Sequence, residues 1–199
     1  MNLQFPPQDT HFKSTDWQEY QLPQYRRLVK HAKNRSLVLD VGAHCGIMTR
    51  RMARDFYHVV AFEPVHYNLL KNNTEDLPNI EIHPVAATDR NTGAVPIMLN
   101  LENSGDCKIG VAEDAIRITV DQRTIDSFNI RGVGAIKMDI QGAELSALQG
   151  ARKTIARDKP TLMLEIELED PNRTEIEQFL LDLNYRQIYR RSADTIWIG

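Results

Sequence analysis

The sequence predicts one α/β domain: a mostly parallel, Rossmann-like sheet with helices on both faces, finished by a C-terminal antiparallel strand. Three observations carry this. Short apolar runs alternate with segments of helical period along residues 36–183, the pattern of strands buried on both faces of a covered sheet. Two of these runs, 36–41 and 134–139, bring an acid, Asp40 and Asp139, to their C-terminal ends. The last two strand-like runs, 185–189 and 195–198, are joined only by residues 190–194. A parallel crossover needs roughly a dozen residues or more, so this pair must be an antiparallel hairpin.

Residues 1–35 read as a lead-in. The first 13 are polar and carry Pro6 and Pro7; from 14 to 33, Trp17, Tyr20, Tyr25, Leu28 and Val29 suggest helical turns broken near Pro23. The aromatic stripe either packs on the sheet or forms part of a lid. The domain proper spans 36–199. Strand 36–41 leads to a helix over 47–55, strand 58–62, and a helix after Pro64, which suits a first helical turn. Strand character returns at 80–86, 95–101 and 116–120, with a polar excursion at 104–115. A short helix at 124–128 precedes strand 134–139, a helix over 143–157, strand 161–167 and a helix over 174–183.

Composition narrows the function classes. With 199 residues, 42% hydrophobic and 26% charged, the chain has the make-up of a soluble protein with one sizeable core. A net charge of −3 offers no global attraction to phosphate, so neither a nucleic-acid nor a membrane partner is expected. Residues 1–14 lack the apolar core of a secretory leader, and no stretch reaches the roughly 20 apolar residues of a membrane span. Cys45 and Cys107 lie in no zinc spacing and read as free thiols; a cytoplasmic location is expected. The oligomeric state stays open.

Ligands of open α/β sheets bind at the carboxyl ends of the strands. There the first strand turns through Asp40-Val41-Gly42-Ala43-His44-Cys45-Gly46. A dinucleotide site needs G-x-G-x-x-G, whose glycines bring a pyrophosphate onto a helix N-terminus. Here G-x-x-x-G remains, with an acid in front that would repel a pyrophosphate. A cationic sulfonium nucleoside, S-adenosyl-L-methionine, has no phosphate and suits that carboxylate. Glu63 ends the second strand 23 positions after Asp40, about where an acid accepts from ribose hydroxyls, roughly 20 residues on. Asp89, after the third strand, offers an acceptor for the adenine amino group, or is a solvated turn residue before Asn91-Thr92-Gly93.

The set Val38-Leu39-Asp40-Val41-Gly42-Ala43, Ala61-Phe62-Glu63-Pro64, Asn103-Ser104-Gly105, Ile136-Lys137-Met138-Asp139-Ile140-Gln141-Gly142-Ala143-Glu144 and Leu164-Glu165-Ile166-Glu167 resembles the FkbM family of methyltransferases. The likeness runs from about residue 36 to 170, in the family's order and approximate spacing. It implies a class I methyltransferase fold with Asp40, Gly42, Ala43, His44, Gly46, Glu63, Pro64, Asp89, Ser104 and Asp139 at the S-adenosyl-L-methionine site. It also implies Asp139 and Glu144 at the active site, the latter in a catalytic or a structural role. Two departures stand out: the family often has asparagine at the position of His44 and glutamate at that of Gln141.

Methyl transfer to a hydroxyl requires alignment and removal of a proton. Asp139 is the first candidate base, on condition that burial or a neighbouring acid raises its pKa from about 3.9; on that reading Asp139→Asn abolishes turnover and spares cofactor affinity. His44, His66 and His83 are possible substitutes, and Lys137 reads as an ion-pair partner. A metal held by Asp139, Glu165 and Glu167 is conceivable, but strand-end acids in water account for the same residues, and no metal is expected. The resemblance implies an acceptor that is a small molecule or glycan bearing a hydroxyl. The rival readings are a non-catalytic cofactor-binding or interaction domain and, against the missing third glycine, an NAD-dependent oxidoreductase.

Overall fold

The computed structural model describes residues 3–199. The lead-in holds a short helix, α1 (His11–Ser14), and then turns, before α2 (Leu22–His31). Pro23 does not break a helix, as the sequence suggests. It lies in the first turn of α2, where its missing N–H has no partner to lose, and Gln21 caps the helix at φ 49°. Trp17 and Tyr20 therefore fall in the turns ahead of α2.

The domain then runs β1 (Leu37–Val41), α3 (Ile47–Asp55), β2 (His58–Phe62), α4 (Tyr67–Asn73) and β3 (Ile80–His83). The run at 80–86 is not one strand: it is interrupted at Pro84, and β4 (Ala86–Ala87) leaves for a second sheet. That sheet, ordered β4-β7-β5-β6, takes in β5 (Ala94–Met98), β6 (Lys108–Ile109) and β7 (Arg117–Arg123). The polar excursion thus contributes a strand. A 3-10 turn (Ile125–Phe128) leads to β8 (Val133–Met138).

The helix expected over 143–157 is two, α5 (Glu144–Gly150) and α6 (Arg152–Asp158), hinged at Ala151. Gly150 presses on the chain beyond β4, where a Cβ would lie 2.0 Å from the Thr88 carbonyl oxygen. The fold closes with β9 (Thr161–Glu165), α7 (Arg173–Asp182), β10 (Arg186–Arg191) and β11 (Asp194–Ile198).

The main sheet has the order β10-β11-β9-β8-β1-β2-β3. β11 is antiparallel to both β9 and β10, whereas β9, β8, β1, β2 and β3 pair in parallel. Alternate residues feed two cores. Leu39, Val41, Ile136, Met138, Leu162 and Leu164 face one side with α5, α6 and α7. Val38, Val59, Ala135, Met163 and Ile196 face the other, against α2 and α3. Among the described residues no helix is long and apolar enough to cross a membrane. Both cysteines are free.

Candidate active site

The strand order puts β1 between β2 and β8, so the turn after β1 lies between the strands that carry Glu63 and Asp139. Two adjoining chambers open there. One, of about 620 Å³, is lined by Phe62, Glu63, Pro64, Ala87 and Ile140; the other, of about 1070 Å³, by Phe12, Tyr20, Gln21, Lys137 and Glu165. Gly42, His44, Gly105, Asp139 and Gln141 border both.

Gly42 makes the junction possible. Its φ is 81°, and a Cβ there would fall 2.0 Å from the Asp139 carbonyl oxygen, so only glycine lets the two strand ends approach. At the floor of the first chamber Glu63 is buried. One carboxylate oxygen accepts the His44 N–H at 2.8 Å, the other the N–H groups of Val65 and His66 at 2.8 and 2.9 Å. An oxygen with two lone pairs and one donor keeps one acceptor site for a ligand hydroxyl.

In the second chamber the charges are arranged in depth. Asp40 is fully buried and borders neither chamber. It is the register partner of Lys137 on the neighbouring strand, and Lys137 Nζ lies 3.7 Å from Asp40 Oδ1 and 3.7 Å from Asp139 Oδ2 while donating to the Gly42 carbonyl at 2.8 Å. Thr49 donates to the other Asp40 oxygen at 2.6 Å. Of these two aspartates it is therefore Asp139 that faces the cavity. Burial would raise its pKa, but Lys137 and hydrogen bonds from Glu165, Gln141 and Gln21 hold it below the usual carboxylate range. Burial and the Asp139 charge push Glu165 the other way, into its protonated form. Gln141, where the family often has glutamate, donates to Asp139 Oδ1 at 2.9 Å, and so supports the ionised state.

The model of the methyltransferase FkbM domain matches residues 40–187. The chain belongs to the FkbM methyltransferase family. The methyl donor of that family is S-adenosyl-L-methionine. Comparison with curated protein sequences gives no match. Among solved structures, the fold is similar to an FkbM methyltransferase from Methylobacillus flagellatus, with a TM-score of 0.61 at 18% identity. That similarity covers 90% of this chain and spans 59% of the other. Aeropyrum pernix fibrillarin with natively bound S-adenosyl-L-methionine gives 0.57 at 14% identity, over 92% of this chain and 76% of that one. A putative methyltransferase from Streptococcus mutans in complex with SAH gives 0.55 at 12% identity, over 88% and 94%.

In this FkbM domain the remaining sequence-assigned residues divide. Ala43 lines the second chamber, Pro64 and Ser104 the first. Gly46 caps α3 at φ 91°, its missing side chain making room for Leu70, and it borders neither chamber. Asp89 also lies outside both: its carboxylate accepts from Ser146 Oγ at 2.8 Å at the rim of a neighbouring depression. Glu144 is buried and spends its oxygens on the N–H groups of Ile140 and Gly142, each at 2.8 Å. It shapes the loop after β8 and touches neither chamber, with burial raising its pKa to about 7.

The lead-in supplies walls the sequence only partly marked. Phe12 packs 4.6 Å from the His44 ring, and Tyr20 5.6 Å from Phe12. Tyr25, grouped with them as a lid candidate, is instead core, its hydroxyl donating to Asp55 at 2.6 Å. Asp9 was not foreseen. It is fully buried and accepts from Phe12 N–H at 2.7 Å, Ser104 N–H at 2.8 Å and the Ser104 hydroxyl. Its position three residues before Phe12 is a local capping signal, but nothing local points to Ser104.

Proposed function

We propose that the chain is an S-adenosyl-L-methionine-dependent O-methyltransferase acting on a hydroxyl of a sugar, glycan or small natural product. The observation that carries this reading is the polarity of the two-chamber cleft. A buried acid with one free acceptor position, Glu63, stands at the apolar end, and an ionised acid, Asp139, stands where the chambers meet. That order suits a neutral nucleoside at one end and a cationic sulfonium and ammonium at the other. A pyrophosphate next to Asp139 would be repelled, which disfavours NAD.

Glu63 and Pro64 would hold the ribose end of the cofactor, and Gly42, Ala43 and Asp139 its methionine end, with Lys137 below them keeping the carboxylates ionised. When bound, the cofactor supplies an activated methyl group, so the protein's tasks are alignment and exclusion of water. The second chamber, walled by Phe12, Tyr20 and Gln21, would take the acceptor. Asp139 remains a candidate base, although both its oxygens already face donors, Gln141 at 2.9 Å and Lys137 at 3.7 Å, an arrangement that suits a fixed counter-charge for a cation.

Calorimetry with S-adenosyl-L-methionine, S-adenosyl-L-homocysteine and NAD tests the reading directly. Binding of the first two with no heat from NAD is expected; binding of NAD alone would end it. Glu63→Ala should weaken S-adenosyl-L-methionine about tenfold, the loss of one charge-assisted hydrogen bond of about 1.4 kcal/mol. An unchanged Kd would show that Glu63 serves only to fold the turn.

A further inference from the structure

The geometry points to His44 as the proton acceptor of the cleft: a hydrogen-bond chain from Asp9 through Ser104 fixes its ring as the Nε2–H tautomer and leaves Nδ1 bare for the acceptor's hydroxyl. The inference rests on the hydroxyl-methylation reading above.

The chain is decided by counting protons. The Ser104 hydroxyl donates to the Asp9 carboxylate, whose other partners are the N–H groups of Ser104 and Phe12. Burial alone would raise the Asp9 pKa, yet these hydrogen bonds hold it below the usual range, so Asp9 is ionised and accepts only. With its one proton spent, Ser104 Oγ has only lone pairs to offer His44 Nε2, 2.7 Å away. Two bare acceptors at that separation would repel, so Nε2 carries the hydrogen. Cys45 Sγ, 3.6 Å from the same nitrogen, is a weak second contact.

A neutral imidazole has one N–H, which leaves Nδ1 as a lone pair. Among the described residues no group hydrogen-bonds Nδ1, and His44 borders both chambers. The ring is held from several sides: Phe12 at 4.6 Å, the His66 ring edge-on at 5.0 Å, and its own N–H on Glu63. Burial, then His66, brings its pKa to about 3 against the opposing charges of Asp9 and Asp139, with Lys137 adding to the depression. The lone pair is thus present across the neutral range. Because so weak a base cannot deprotonate a free alcohol, it takes the proton only as the oxygen–methyl bond forms and the oxygen becomes strongly acidic. The backbone is strained there, at φ 51° in a residue other than glycine, a cost that persists where the surroundings over-determine the conformation.

The step balances. As the hydroxyl oxygen forms its bond to the methyl carbon, the O–H bond breaks and its proton passes to Nδ1. The donor sulfur keeps the electron pair of the broken S–C bond. The imidazolium then donates Nε2–H toward Ser104 and Asp9, and water takes the extra proton from Nδ1.

Two variants separate the nitrogens. His44→Gln reaches Ser104 in place of Nε2 and has nothing at Nδ1; His44→Asn places an amide at Nδ1 and loses the Ser104 contact. Full-length protein labelled with ¹⁵N-histidine and saturated with S-adenosyl-L-homocysteine should show His44 with a bare Nδ1 and a protonated Nε2 between pH 5 and 9. A protonated Nδ1 overturns the assignment. With methyl glycosides of glucose, galactose, rhamnose and fucose as acceptors, His44→Gln should lose about 100-fold in S-adenosyl-L-homocysteine release, and His44→Asn about tenfold or less. Both should bind S-adenosyl-L-methionine within about threefold of the parent. Turnover of His44→Gln within threefold of the parent also overturns it. If the parent binds no S-adenosyl-L-methionine, the methyltransferase reading fails instead; if it binds and no glycoside reacts, the sugar acceptor fails. In both cases the spectrum, recorded on the unliganded protein where no cofactor binds, still tests the tautomer, and a protonated Nδ1 overturns it.

Discussion

Lys137→Met is expected to destabilise the fold by about 3–5 kcal/mol at pH 7, the usual cost of removing one partner from a buried ion pair. Lys137 is 5% exposed along its side chain and Asp40 not at all. Asp40 Oδ1 has no hydrogen-bond partner among the described residues, so the ammonium 3.7 Å away is all that compensates it. Burial, opposed by Lys137 and Thr49, already raises the Asp40 pKa. Without the lysine it rises further, and the carboxyl escapes its penalty by binding a proton. The sign follows: a carboxyl whose folded pKa exceeds its unfolded value of about 3.9 makes the native state bind more protons. Stability of the variant is then greatest at low pH and falls as pH climbs through the folded pKa. Urea unfolding should show the deficit shrinking from pH 7 toward pH 5. Lys137→Met with Asp40→Asn should recover most of it, since a neutral amide needs no cation. A loss under about 1 kcal/mol, or strict additivity of the two changes, would mean the pair contributes nothing.

The same pair shows what the sequence could and could not reveal. Residues 36–41 read as a buried strand because Leu37, Val38, Leu39 and Val41 leave no solvated face, and the brief 190–194 link forced an antiparallel hairpin. Such signals are local. That Asp40 pairs with Lys137 follows from strand register, which no single segment encodes. The acid therefore reads as a cofactor contact, whereas it lies beneath the cleft and borders neither chamber. Lys137, by contrast, read as an ion-pair partner, because a lysine inside an apolar run has few other ways to be buried.

The small sheet was hidden for a similar reason. β6 is two residues long and exposed, and its pairing with β5 exists only once the chain has turned back. Asp9 and Ser104 are 95 residues apart, so their contact, and the tautomer it imposes on His44, had no signature in either neighbourhood. Asp89 and Glu144 were placed by motif position. Their side chains meet Ser146 and the loop after β8 instead, because a motif fixes where the backbone runs more firmly than where a side chain turns.

Asp139→Asn then distinguishes a base from a counter-charge. If Asp139 only removed a proton, the amide would abolish turnover and leave cofactor affinity intact. The structure holds the carboxylate ionised, with Lys137 at 3.7 Å, Gln141 at 2.9 Å and a protonated Glu165 as hydrogen-bond donor. A carboxylate stabilised this way is a weak base and a strong partner for a cation. Removing a unit charge from about 6 Å of a cation at an effective dielectric of ~20 costs about 3 kcal/mol. S-adenosyl-L-methionine should therefore bind Asp139→Asn about 100-fold more weakly. S-adenosyl-L-homocysteine, whose sulfur is neutral, should lose about tenfold or less. The difference between the two losses isolates the sulfonium, since both ligands share the amino-acid and nucleoside ends. Glu165 should at the same time surrender its proton more easily, because the Asp139 charge that raises its pKa is gone. Calorimetry in buffers of unlike ionisation enthalpy should show fewer protons released on binding than in the parent. Equal losses for the two ligands would place the methyl-bearing sulfur away from Asp139, and unchanged affinity for both would return the residue to the role of base.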